Sequence, residues 1–95
     1  MPKSKGFDTD FVVGKNYFIR GITHHYTGKL VDITKDSFVL VDAAWIADDG
    51  RFAQAMAKGE LSEVEPYPDG QVVFVSLAAY ADATEWKFPL PRTQK

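Results

Sequence analysis

The sequence predicts an all-β domain with one short helix inserted into it. Three observations predict this. Segments rich in β-branched and aromatic residues recur along the chain, each ended by turn residues rather than by a helix. A single alanine-rich segment at 51–58 interrupts them. The chain has 95 residues, the length of one domain.

The elements follow in order. Residues 16–23 (NYFIRGIT) form a first strand, in which Gly21 marks a bulge or a close backbone approach. Residues 25–33 (HYTGKLVDI) form a second; neither face is cleanly apolar, so the strand should bend at Gly28. After a turn at 34–37, Phe38 opens a third, more buried strand that reaches Ile46. Trp45, beside Ala43 and Ala44, should lie in the core. Asp48-Asp49-Gly50 is a turn, and either aspartate is a candidate helix N-cap. In the helix, Phe52, Ala55 and Met56 fall at i, i+3 and i+4 and make one apolar stripe, expected to be buried. Gly59 is placed to stop it.

Residues 61–67 read as a short strand, and Pro68-Asp69-Gly70 as a hairpin turn. Residues 71–75 (QVVFV) are continuously apolar from Val72 onward, the pattern of a strand covered on both faces. Ser76-Leu77-Ala78 makes a tight corner before a last strand at 79–86, and Pro89 and Pro91 end regular structure. The expected organisation is a flexible arm at 1–10, one domain at 11–91 with its helix at about 50–58, and a tail at 92–95. Trp86 and Phe88 either fold back over the domain or dock on a neighbour.

Composition narrows the function classes. Apolar residues make up 45% and aromatic residues 14%, enough for a folded core. There is no cysteine, which excludes disulfides and thiolate metal sites and fits a reducing compartment. No apolar run spans a bilayer and no apolar segment follows Lys3 and Lys5, so a cytoplasmic protein with no membrane partner is expected. Net charge is −2 but unevenly spread. Residues 48–85 carry Arg51 and Lys58 against eight acids, a net −6, which repels a polyanion.

Catalytic patterns do not emerge. His24 and His25 are adjacent, point to opposite faces of a strand and are poorly placed to share a metal; one ring should pack on Tyr26 or Tyr17. Asp48-Asp49-Gly50 lacks the alternating oxygen ligands of a calcium loop. Glu60, Glu63 and Glu65 read as a solvated face, and the serines sit in no nucleophile motif. The expectation is a non-enzyme without cofactor or metal.

Gly28-Lys29-Leu30-Val31-Asp32-Ile33, a turn, then Asp36-Ser37-Phe38-Val39-Leu40-Val41 resembles the first motif of Sm-like proteins, in the form found in Hfq more than in eukaryotic Sm and LSm proteins. The corresponding second motif falls at 73–80, without the Arg-Gly of the eukaryotic form or the Lys-His of Hfq. The blocks at 23–28 and 42–52 resemble Sm-like proteins of bacterial and phage genomes, cyanophages among them. The resemblance implies a small five-stranded Sm-like (SH3-type) barrel; the competing reading is an α+β roll with the same strands. It also implies a homo-oligomeric ring of five to seven subunits, five or six preferred, in which the last two strands of neighbours pair edge to edge. The interface residues would then be Val72, Val73, Phe74, Val75, Ala79, Ala81, Ala83 and Trp86. The favoured role is a structural or binding scaffold. The alternative is a ring binding RNA or single-stranded nucleic acid through Arg20, Lys29 and Lys35, with Tyr17, Tyr26 and Phe38 as stacking faces.

Overall fold

A computed structural model describes residues 11–95; the expected arm at 1–10 lies outside the described residues. Six strands form one antiparallel sheet with one short helix: β1 (Asn16–Gly21), β2 (His25–Ile33), β3 (Ser37–Asp48), α1 (Phe52–Lys58), β4 (Glu63–Pro66), β5 (Val73–Ser76) and β6 (Tyr80–Glu85). The all-β expectation with one inserted helix holds, with six strands in place of five. The order is β4-β3-β2-β1-β6. β3 is long enough to serve two partners: Ser37–Leu40 pairs with β5, and the stretch from Ala44 to Asp48 pairs with β4. Pro68-Asp69-Gly70 therefore turns the chain without making a hairpin, because β4 and β5 both pair with β3 rather than with each other.

Bulges curl this sheet. Against Thr27 and Lys29 of β2, β3 spends one extra residue between Ala44 and Val41. Asp42 in that bulge takes φ 51°, and its Oδ1 accepts the Gly70 amide at 3.0 Å. Gly28 faces the bulge, and a Cβ on it would meet Leu40 and Ala43 side-chain atoms at 3.1–3.2 Å. The expected bend at Gly28 is thus where two inner-face side chains claim its space. Ala81 is the extra residue of a second bulge, opposite Arg20 and Gly21 of β1. The curl brings the Phe38 ring of β3 within 5.0 Å of the Tyr80 ring of β6, though two strands separate them in the sheet. Among the described residues no backbone ladder joins β5 to β6, so the sheet is not closed.

Each face of the sheet has its own core. The inner one holds Tyr17, Ile19, Leu30, Phe38, Leu40, Ala43, Val73 and Val75. The outer one, from Phe18, Ala44, Ile46 and Val64, is covered by Ala55 of α1, Leu61 and Trp86, with Met56, Phe88 and Leu90 against its edge. Strand alternation sends neighbours such as Phe18 and Ile19 to different cores.

Several expectations are corrected here. Trp45 is 37% exposed, against its core reading, and Trp86 is 3% exposed, which takes the fold-back reading of the two the sequence left open. Trp86 folds back on Phe18 and Phe88, its Nε1 donating to the Pro89 carbonyl. Phe52 lies at the solvent side of α1 with the Arg20 guanidinium 4.6 Å from its ring centre, and Ala55 takes the buried position. The N-cap of α1 is Arg51, with no side-chain cap; Asp48 instead accepts the Gly50 amide at 2.7 Å. Gly59 ends the helix in the left-handed region, φ 71°. β5 is covered on one face only: Val73 and Val75 are buried while Phe74 is 67% exposed.

The tail at 92–95 is docked. Arg92 donates from Nη1 to the Ala43 carbonyl at 3.0 Å and from Nη2 to the Tyr67 carbonyl at 2.6 Å, and it pairs with Asp69 at 2.7 Å. Lys95 and Val64 exchange two backbone hydrogen bonds of 2.9 Å, which covers the outer edge of β4. No helix among the described residues is long and apolar enough to cross a membrane.

Candidate functional site

Two features stand out from the packed cores. The first is an aromatic cleft where the inner face opens at one end. Cross-strand register puts Ile19, Tyr26, Trp45 and Glu65 in one row across β1, β2, β3 and β4. Ile19 is buried in the inner core, and towards β4 the row emerges into solvent. His24, just before β2, sets its ring edge-on to Tyr26 (centroids 5.5 Å) and to Trp45 (5.4 Å). Its two ring nitrogens lie 2.9 Å from Thr23 Oγ1 and 3.0 Å from Tyr26 Oη, which fixes the ring. Tyr67, directly after β4 and between Pro66 and Pro68, supplies another wall. Together these residues line an open cleft of about 410 Å³.

Burial, and then the neighbouring Tyr67, hold the Tyr26 hydroxyl above its ordinary pKa, so it stays a neutral donor and acceptor. Glu65 accepts from Gln94 Nε2 at 2.9 Å and has no ion-pair partner among the described residues. No family model, curated protein or solved structure matches the chain. What the chain does must therefore be argued from its own geometry.

The second feature is a pair of open strand edges. Among the described residues β5 pairs only with β3, and β6 only with β1. Of the residues expected at an interface, Phe74, Val72, Ala79 and Ala81 are exposed. Val73 and Val75 are used by the inner core, Ala83 packs half-buried against it, and Trp86 is consumed by the outer core. Alternation decides the split along 72–75, because an apolar run in a strand sends every second side chain inward.

The residues expected to contact nucleic acid do not form one surface. Arg20 and Lys29 sit on the outer face, and Tyr17, Tyr26 and Phe38 on the inner. Phe38 is 1% exposed and stacks on Phe11 and Tyr80, so it offers no face to a base, and Tyr17 is likewise buried. Arg20 is held by a bidentate pairing with Asp82. Lys35 lies in the exposed turn between β2 and β3.

The cleft escaped sequence reasoning because its members are far apart in the chain. The one available signal was the pairing of aromatic residues with prolines at 66–68 and at 24–26 with histidines.

Proposed function

We propose that the chain is a non-catalytic scaffold that assembles head to tail into a ring of five to seven copies, the open edge of β5 in one copy pairing with that of β6 in the next. One observation carries this: the fold covers the outer edge of β4 with its own Lys95, yet no described residue pairs with the free edges of β5 and β6. Exposed strand edges are normally blunted by charge, proline or cover. Among the described residues β5 has none of these; it presents Phe74, and Val72 just before it is exposed too. β6 offers Ala79 and Ala81, small residues that let a second backbone approach. A heterologous contact of this kind generates a ring when its rotation closes. The Sm-like resemblance implies the same pairing, and the elements fall in a compatible order. The −6 charge over residues 48–85, and the separation of the cations from the rings, favour a protein-binding scaffold over an RNA-binding one.

Two substitutions on opposite edges test the pairing. Phe74→Lys places a charge on the β5 edge. Ala81→Pro removes an amide donor from the only β6 residue without a β1 partner, so it should spare the fold. Each variant alone should have the mass of a single chain by light scattering, with an unchanged circular dichroism spectrum. Mixed together they should give a one-to-one dimer and nothing larger, since one sound edge of each kind remains. Assemblies of wild-type mass for both variants would rule out this interface.

A further inference from the structure

We propose that the aromatic cleft binds an organic cation, a methylated ammonium group seated between Trp45, Tyr26 and Tyr67 and facing the Glu65 carboxylate. This goes beyond the assembly reading and does not depend on it.

The wall chemistry points to this class. Aromatic faces carry negative charge density and attract a cation placed over them, most strongly for Trp. Trp45 is 37% exposed at the end of the inner-face row that runs out into solvent, and it lines the cleft. His24, locked by Thr23 and Tyr26, holds Trp45 edge-on, so the walls are built before any ligand arrives. Pre-set walls lower the ordering cost of binding. Glu65 supplies the formal charge: it lines the cleft, its Oε1 accepts from Gln94 Nε2 at 2.9 Å, and it has no ion-pair partner among the described residues. The one guanidinium nearby, Arg92, is engaged by Asp69 and two carbonyls.

Methylation selects among cations. A bare ammonium is strongly hydrated and needs acceptors to replace its water. Aromatic walls with one carboxylate replace little of that water. A methylated ammonium sheds its hydration more easily and keeps its charge. An anion is disfavoured by Glu65, and a purely apolar group would gain nothing from its negative charge.

Two sources carry this chemistry: a free quaternary ammonium compound, or a methylated lysine side chain in a peptide. The experiment titrates the full chain with choline, with its uncharged isostere 3,3-dimethylbutanol, and with a short peptide containing trimethyl-lysine or plain lysine. The Trp45 indole NMR signal reports occupancy. Saturable shifts are expected for choline or the methylated peptide, with the neutral isostere weaker by about tenfold. The better binder of choline and peptide identifies the source. Glu65→Gln, at an exposed position, should weaken the cation by about three- to tenfold and leave the isostere unaffected. Trp45→Ala, which lacks the indole reporter, is followed by titration calorimetry with the same ligands and should show no saturable binding. Equal binding of charged and neutral isosteres, or no saturable shift at about a hundred millimolar choline, where even a millimolar site fills, would overturn the proposal. So would tighter binding of plain lysine than of trimethyl-lysine.

Discussion

Thr27 offers an unusual test, because replacing a core residue should make this protein more stable. Its side chain is 0% exposed, and its hydroxyl has no hydrogen-bond partner among the described residues. Register places it in the row Phe18–Thr27–Ala44–Pro66, on the face covered by the outer core. A buried donor left unpaired costs about 1–3 kcal/mol. Valine keeps the branched shape and the strand preference, and puts a methyl where the hydroxyl stood. Thr27→Val should therefore stabilise by about 1–3 kcal/mol, or raise Tm by about 4–8 °C for each kcal/mol at this chain length. Thr27→Ser, which keeps the hydroxyl and removes the methyl, should destabilise by about 1 kcal/mol. Thermal unfolding followed by circular dichroism measures both. Protein concentration must be held constant, since assembly makes Tm concentration-dependent. A loss of 1 kcal/mol or more in Thr27→Val would refute the reasoning, by showing that the hydroxyl has a partner in solution.

Three further outcomes are expected. Gly28→Ala forces a methyl to within 3.1–3.2 Å of Leu40 and Ala43, and should cost about 1–3 kcal/mol in urea unfolding as an overpacked core position. Trp86→Ala removes the largest side chain from the outer core, and should cost about 3–5 kcal/mol in the same assay. The Asp82 carboxyl is held below its ordinary pKa, chiefly by its hydrogen bonds from Arg20. Its contribution is therefore present above the ordinary carboxylate pKa of about 4 and fades as pH falls through the lower folded value. The pair is solvent-exposed, so Asp82→Asn should cost under about 1 kcal/mol at pH 7 and less as the pH is lowered below about 4, read from urea midpoints across that range.

The strands were legible in the sequence because each is a local pattern. Residues 16–23, 25–33 and 79–86 bracket β1, β2 and β6, and Gly59 stops α1 as its position predicts. Long-range choices were not legible. An apolar run such as 71–75 looks alike whether its second face meets a core or solvent, so the exposure of Phe74 came only with the sheet. Trp45 left the core, and Trp86 took one of its two open readings, for a similar reason. Trp45 has small neighbours, Ala43 and Ala44, that fill the core in its place, while the tail doubles back to bury Trp86. Arg92 reads as a terminal charge in sequence, yet it ties the tail to the carbonyls of Ala43 and Tyr67, more than twenty residues away. Of the aromatic cleft, His24 packing on Tyr26 was foreseeable. The arrival of Trp45, Glu65 and Tyr67 beside them depends on the pairing of β2, β3 and β4.

The central claim is that the open edges of β5 and β6 are satisfied by other copies of the chain. Sedimentation equilibrium of the wild-type protein at micromolar concentration tests it most directly. The account predicts one species of five to seven times the 10.6 kDa chain mass. A single species of 10.6 kDa, unchanged as concentration rises, would contradict it.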